Sequence, residues 1–296
     1  MALTGKHQGV STVRLIVVTG LLLCLAACSG TTFVYNRLDT ILPWYVDDYV
    51  DLNGRQQDQL DEILEPFLRW HRQQELPQYV ALLNEVDTTL DRPVTPEQLA
   101  QIYSGMEVAW LRLERESLDG LLELGASLTD EQVAEFLGYL WERQEEYEEE
   151  YLTRDEPEYR EESYDSFADT LRDYLGRLTP QQRERLRQAS TALERSDEVW
   201  LQERAASLQR LSVLLERQPG WQDKVREAVA GRSETTSEEY LQVYEHNLDV
   251  IFAAVADVLN SRSESQDRHL RAELADLRDD LQTLIAQGPP PPKDSA

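Results

Sequence analysis

The sequence contains little cysteine, glycine, proline or lysine, and each shortage argues against a class of protein. Two cysteines among 296 residues leave no disulfide framework of the kind that holds small secreted folds together. Thirteen glycines and twelve prolines, with no strand-like alternation, argue against an all-β protein. Only 29 basic residues, three of them lysines, oppose 56 acidic ones, so the formal net charge is −27 and no basic footprint for nucleic acid exists.

Recognisable catalytic patterns are also missing. The sequence has no G-x-S-x-G elbow, no glycine-rich phosphate loop and no H-E-x-x-H pair. The later histidines, His71, His246 and His269, are scattered along the chain. We therefore predict a protein that is not an enzyme and has no catalytic residue, cofactor or metal site. Carboxylates for glycosidic cleavage exist among the 56 acidic residues, but nothing in the sequence selects a pair.

The most informative motif lies within the first 29 residues. Lys6 and Arg14 precede an apolar run over 15–24, which is too short for a permanent membrane span. Small residues then lead into a cysteine in the string Leu-Ala-Ala-Cys-Ser at 25–29. No later apolar stretch approaches the roughly 18 residues that a spanning helix needs.

This order of basic, apolar and small residues resembles a bacterial lipoprotein signal. The resemblance implies cleavage between Ala27 and Cys28 and attachment of diacylglycerol and palmitate-type acyl chains at Cys28. Several acyl chains anchor durably, because each buried CH₂ contributes about 0.8 kcal/mol. Ser29, in place of an aspartate, implies delivery to the outer membrane. The alternatives are a secretory signal with a chance cysteine and a buried apolar helix.

Beyond the anchor, leucine, glutamate, glutamine, arginine and alanine dominate, which predicts an all-α fold. We expect an elongated bundle of about seven to nine amphipathic helices behind a lipidated N-terminus. The predicted parts are a signal peptide (1–27), a lipidated tether with an aromatic-rich lead segment (28–52), a helical body (53–287) and a disordered tail (288–296). The predicted helices cover 54–74, 77–90, 96–125, 130–154, 158–176, 180–217, 221–230 and 237–286.

Four of the predicted helix starts share one pattern: an apolar residue, an Asn or Thr cap, and Gln three residues after the cap. This is the capping box, in which the cap side chain accepts from the N–H of the third helical residue and Gln accepts from the N–H of the cap. The pairs are Asn53 with Gln56, Thr95 with Gln98, Thr129 with Gln132, and Thr179 with Gln182. In the last predicted helix, apolar steps of four and three form a packing seam, and a polar interval at 260–268 predicts a kink or an exposed stretch.

Two segments are candidates for binding. Trp44, Tyr45 and Tyr49 follow the anchor and suit a membrane interface, but packing on the body is favoured because Asp47 and Asp48 lie among them.

The second segment is the string that contains Trp70, His71, Arg72 and Glu75, which are the candidates for a functional groove. The competing interpretation is a helix end at which Pro77 breaks the chain. The acidic stretch 145–151 suits Ca²⁺ or a basic client, but its tyrosine spacing predicts a solvated helix with one buried stripe.

Two families resemble the chain. The Leu/Val-Thr-x-x-Gln unit, clearest at 128–132 and 178–182, resembles the repeated motif of the Spy/CpxP group of small helical periplasmic chaperones and stress sensors. More extensively, the chain resembles a proteobacterial family of uncharacterised lipoproteins, and this resemblance implies an all-helical envelope lipoprotein without an assigned activity. It rests on residues 28–30 (CSG), 35–39 (YNRLD), 43–45 (PWY), 67–72 (FLRWHR) and 75–77 (ELP).

The sequence thus predicts an outer-membrane lipoprotein that faces the periplasm and serves as a non-enzymatic scaffold or chaperone-like module. Its expected partners are the membrane, through the lipid on Cys28, and another envelope protein, with no nucleic acid. Two alternatives remain open: a cell-wall or glycan hydrolase that uses carboxylates, and an envelope stress or metal sensor.

Overall fold

The computed structural model describes residues 30–288. Within that range every element of regular structure is helical, which confirms the predicted all-α class. The elements are α1 (Gly30–Tyr35), α2 (Leu38–Asp47), α3 (Gly54–Trp70), a π-helix (His71–Glu75), α4 (Leu76–Thr89), α5 (Pro96–Ser127), α6 (Asp130–Thr153), α7 (Glu156–Leu175), α8 (Pro180–Ala192), α9 (Asp197–Leu214), α10 (Trp221–Ala230), α11 (Arg232–Thr235), α12 (Glu238–Asn260) and α13 (Glu264–Ala286). The predicted signal peptide, the predicted lipid attachment site at Cys28 and all but the first residue of the predicted tail lie outside the described residues.

The described helices outnumber the predicted seven to nine for three reasons: the lead segment folds as α1 and α2, two predicted helices are interrupted, and the π-helix and the four-residue α11 add two short elements. The segment 180–217 divides into α8 and α9, and the segment 237–286 divides into α12 and α13. Two asparagines of α12 form hydrogen bonds with loop backbone, one at the break between α8 and α9 and one in the loop that precedes α5. Asn247 accepts from the N–H of Glu194 and donates to its carbonyl, both at 2.8 Å. Asn260 bonds in the same way to Val94, at 2.7 and 2.8 Å.

The predicted break at Pro77 is wrong, because the chain stays helical from α3 through the π-helix into α4. The N–H of Leu76 donates to the carbonyl of His71, five residues earlier, which is the π pattern. Pro77 has no N–H, and in an α-helix its ring clashes with the carbonyl four residues before it. The wider π turn accommodates that conflict without ending the helix.

The main core is built around α13, the last described helix. Its leucine seam is fully buried, as the spacing predicts, and packs against α4 and α7. The buried leucines of α13 are Leu270, Leu274, Leu277, Leu281 and Leu284. Smaller apolar clusters join α3 to α5, α5 to α10, and α6 to α9.

The capping boxes form a second system of contacts between helices. All four predicted boxes are present, and a fifth, Ser263 with Gln266, begins α13. The side-chain amides of Gln56 and Gln132 donate to each other at 2.8 Å in both directions. We call this contact the Gln56–Gln132 junction, and it joins the N-termini of α3 and α6.

The N-termini of α8 and α13 meet in the same way. The amides of Gln182 and Gln266 donate to each other at 3.1 and 3.0 Å, which defines the Gln182–Gln266 junction. Each amide also donates to a backbone carbonyl, Gln182 to Val258 at 3.4 Å and Gln266 to Arg177 at 3.2 Å. Both glutamines are buried, at 1% and 4% exposure. Each of these glutamines therefore caps its own helix and also contacts a distant helix.

The aromatic lead segment follows its prediction only in part. Tyr49 packs on the body, edge-on against Tyr139 with ring centroids 4.7 Å apart. Trp44 and Tyr45 are 69% and 59% exposed, so the prediction that they pack on the body is wrong. The helix that carries them, α2, packs chiefly against α3 and has no buried residue, because one neighbouring helix covers only one of its sides.

The prediction that the tyrosines of the acidic stretch 145–151 form one buried stripe is confirmed. The rings of Tyr147 and Tyr151 stack with centroids 6.0 Å apart, and Tyr151 is buried. Trp200 of α9 packs against both rings, at 5.7 and 5.9 Å. The acidic residues between the tyrosines thus lie on a helix whose aromatic side faces α9.

Candidate functional site

The π-helix places three polar side chains inside the protein. His71, Arg72 and Glu75 are 8%, 4% and 2% exposed. Trp70 precedes them, with its ring 6.4 Å from that of His71, and stays partly exposed. The four groove candidates therefore lie together, but three of them bond to partners inside the chain.

His71 lies between two tyrosines. Its Nδ1 is 2.8 Å from the hydroxyl of Tyr35, and its Nε2 is 3.4 Å from the hydroxyl of Tyr79. Burial lowers the pKa of His71 to about 4, against the attraction of Glu75, so the ring is neutral at pH 7. A neutral imidazole has one donor nitrogen and one acceptor nitrogen, so one tyrosine donates to the ring and the other accepts from it. Burial also raises the pKa of Tyr35 to about 12, which keeps that hydroxyl protonated.

Arg72 joins three segments that are far apart in sequence. Its guanidinium donates to the side-chain oxygen of Asn36 at 2.7 Å and to the carbonyl of Gly288 at 2.8 Å. The amide of Asn36 in turn donates to the side-chain oxygen of Gln287 at 3.0 Å. The Nε of Arg72 is buried and, within the described residues, has no hydrogen-bond partner. A buried donor without a partner costs about 1–3 kcal/mol, so this Nε offsets part of the stability that the other hydrogen bonds of Arg72 provide.

Glu75 connects the π-helix to α5. Arg112 donates to both carboxylate oxygens, from Nε at 2.7 Å and from a terminal nitrogen at 2.8 Å. The hydrogen bond to Glu75 raises the pKa of Arg112. The Glu75 side chain is only 3% exposed and that of Arg112 is 27% exposed. Without Arg112 the buried carboxylate would have no compensating charge, whereas without Glu75 the guanidinium would still be partly solvated by water.

We call the whole arrangement the π-helix cluster. It consists of His71, Arg72 and Glu75 with their partners Tyr35, Asn36, Tyr79 and Arg112. It fastens α1, which follows the predicted anchor, to α4, α5 and the end of α13. Sequence reasoning found the central string but not these partners, because no spacing rule connects residues that are 36 or 37 positions apart.

A pocket lies elsewhere, between the end of α4 and the start of α5. It has a volume of about 410 Å³, opens to solvent and shares no residue with the π-helix cluster. Its lining is mostly polar and includes Asn84, Glu85, Thr88, Arg92, Gln98 and Gln101. Among residues 30–288, no three His, Cys, Asp or Glu side chains come together in a way that could hold a metal ion. In the same part of the chain, no helix has the length and apolar character needed to cross a membrane.

Exposed large apolar side chains occur mainly in two places. The first, which we call the α5 surface, consists of Val108, Trp110, Leu111 and Leu121. The second, which we call the lead surface, consists of Phe33, Val34, Trp44 and Tyr45. Exposed apolar groups that gather in one region mark contact sites more often than single ones do. Leu152 and Val213 are exposed singly, on α6 and α9.

The chain matches a known sequence family over much of its length. The sequence profile of a "Family of unknown function (DUF6279)" matches residues 48–241. No protein with a curated description and no solved structure matches the chain. The matched range contains the π-helix and the α5 surface, whereas the lead surface and α13 lie outside it. Since the match spans more than half of the sequence, the chain belongs to this family of unknown function, DUF6279.

Proposed function

We propose that this protein is an outer-membrane lipoprotein, anchored through acyl chains on Cys28, that faces the periplasm and holds another envelope protein as a non-enzymatic scaffold. The anchor rests on the lipoprotein-like signal at residues 25–29 and on the serine that follows the cysteine. A lipid anchor raises the local concentration of the protein at the membrane, which favours weak and repeated encounters with a membrane-bound partner.

The α5 surface is the observation that carries the scaffold proposal. α5 is 32 residues long, and Trp110 and Leu121, eleven positions apart, project from the same side of it because eleven residues make close to three turns. Val108 and Leu111 form another exposed pair, one turn apart. Tryptophan is a frequent anchor of protein–protein contacts. The chain carries a net charge of −27. The exposed side chains of the α5 surface therefore offer an apolar contact on an otherwise acidic protein.

The partner surface can be tested with in-cell crosslinking, followed by affinity purification of the lipidated protein. We expect one dominant stoichiometric partner for the unmodified chain. The double variant Trp110→Ser with Leu121→Ser should lose most of that partner. The matched control is Leu152→Ser with Val213→Ser, which removes two other exposed apolar side chains elsewhere and should retain it.

Other outcomes of this experiment separate the possibilities. A broad set of unfolded clients that grows under stress, lost in the α5 variant and kept in the control, would make the protein a tethered chaperone instead of a scaffold. A partner that both double variants retain equally would exclude the α5 surface. A lipidated protein that captures nothing would contradict the scaffold proposal itself.

A further inference from the structure

The lead surface is carried by α1 and α2, the first two helices after the proposed anchor in the described part of the chain. Six of the ten residues of α2 are apolar, yet none of its residues is buried. Phe33 and Val34 of α1 are exposed as well. The apolar side chains of α1 and α2 that no other described residue covers mark this side of the protein as a contact surface.

The charge of this region differs from that of the rest of the chain. Residues 30–46 contain one basic residue, Arg37, and one acidic residue, Asp39, so their net charge is zero in a chain of net charge −27. The guanidinium of Arg37 lies 3.5 Å above the ring of Phe33. An exposed cation beside aromatic rings suits the head-group region of a bilayer, where amphipathic rings and snorkelling basic residues are favoured.

The position of the anchor identifies the occupant of this surface. Gly30, the first residue of α1, follows Cys28 by two positions. Two residues span about 7 Å at most, so α1 begins within that distance of the acylated residue. This placement rests on the proposed lipid anchor: with acyl chains on Cys28, α1 starts at the membrane surface.

The π-helix cluster prevents α1 from being a loose tether. Tyr35 is bonded to His71, and Asn36 is bonded to Arg72 and Gln287, so the helix next to the anchor is fastened to the body. We propose that Phe33, Val34, Trp44 and Tyr45 lie in the head-group region of the anchoring bilayer and hold the helical body in one orientation. Asp47 and Asp48 mark the edge of this contact, because carboxylates are repelled by anionic lipid.

The test uses the complete lipidated protein in vesicles of phosphatidylethanolamine with a minor share of phosphatidylglycerol. Acylation of Cys28 leaves the mature chain without a free thiol, so an introduced cysteine is the single site for a fluorescent label. The probe variant is Trp44→Cys and the matched control is Val213→Cys, since both side chains are exposed and their replacement leaves the core intact. Quenching is measured with aqueous iodide and with lipids brominated in the acyl chain near the head group.

We expect the label at position 44 to be quenched several-fold more by brominated lipid, and several-fold less by iodide, than the label at position 213. Equal quenching at the two positions would overturn the proposal. Flotation of the same vesicles separates this failure from failure of the anchor. If the protein does not float with the vesicles, the lipid anchor itself is wrong; if it floats and position 44 is as open to iodide as position 213, only the lead surface is wrong.

Discussion

The π-helix cluster and the Gln182–Gln266 junction both bury polar side chains between distant segments, but they do so with different chemistry. In the junction, two neutral amides bond to each other and to backbone carbonyls. In the cluster, a histidine, an arginine and a carboxylate are buried, and the Nε of Arg72 has no partner among the described residues. Neutral amides do not titrate, whereas the cluster contains His71, whose pKa is about 4 in the folded protein and 6.5 in an unfolded chain.

This difference predicts that the stability contributions of the cluster and of the junction respond differently to mutation and to pH. Removing one partner of a buried ion pair is strongly destabilising, because the remaining charge stays desolvated without a compensating charge. A buried amide pair costs less to break, since only neutral donors and acceptors lose their partners. The cluster should therefore respond strongly to mutation and to pH, and the junction should respond to mutation alone.

The largest effect is expected for Arg112→Met, which removes the cation from the buried carboxylate of Glu75. Loss of one partner of a buried pair typically costs about 3–5 kcal/mol, and urea unfolding at pH 8 measures it. The matched control is Arg69→Met, which breaks an exposed pair with Glu65 and should cost less than about 0.5 kcal/mol. Equal losses in the two variants would show that Glu75 is not held as a buried charge.

The next largest effect is expected for Gln182→Leu. This change leaves the amide of Gln266 without its neutral partner in a buried site, at a cost of about 2–3 kcal/mol. Gln98→Leu serves as the control, because Gln98 completes a capping box without taking part in a junction, and its loss should cost about 0.5 kcal/mol. A Gln98 variant as unstable as the Gln182 variant would mean that capping, and not pairing, is the stabilising contribution.

A smaller effect is expected when the pH is lowered. Unfolded histidine takes up a proton as the pH falls below 6.5, whereas folded His71 does so only near pH 4. Stability from this group is therefore present above pH 6.5 and is lost progressively toward pH 4, by about 2 kcal/mol at pH 5 relative to pH 8. In His71→Asn, the difference in unfolding free energy between pH 8 and pH 5 should shrink by that amount.

Gln182→Leu provides the comparison for the pH experiment. Its unfolding free energy should be lower at both pH values, with the same difference between pH 8 and pH 5 as the unmodified chain. If the His71 variant also kept that difference, His71 would not titrate as a buried neutral group.

The smallest effect is expected for Asn36→Ala, which removes the side chain that bonds to Arg72 and Gln287. We expect about 1 kcal/mol of global destabilisation and faster amide hydrogen exchange in α1, because the first helix opens locally. Asn84→Ala, which removes an exposed bond from Arg278, should leave exchange in α1 unchanged. Unchanged exchange in both variants would show that the cluster does not hold the lead segment.

Local signals account for the parts of the fold that the sequence predicted. A cap side chain and its glutamine are three positions apart, so the capping boxes at Asn53, Thr95, Thr129 and Thr179 are determined by the residues themselves. The leucine seam of α13 is likewise visible as spacing. The box at Ser263 follows the same rule but lies inside the polar interval, where only a kink or an exposed stretch was expected.

The missed features depend on contacts between distant residues. The break between α8 and α9 is fixed by Asn247, 53 positions from Glu194, and no helix propensity indicates it. Pro77 signals a conflict within the helix, but whether the chain breaks or widens into a π turn depends on what surrounds it. In the candidate site, the string around His71 stood out by composition, while its partners Tyr35 and Arg112 were found only in three dimensions.

The contact between Asn36 and Gln287 also has a consequence for how the chain reaches its folded state. These side chains are 251 positions apart, and the leucines that complete the main core belong to the last described helix. Closing so long a loop is entropically unfavourable until many other contacts exist, and contacts of such range slow folding. A chain synthesised from its N-terminus therefore produces α1 early but cannot fix it in place until α13 has been made. Premature termination before residue 264 would remove the five buried leucines of α13 from the main core and expose the apolar sides of α4 and α7 that pack against them.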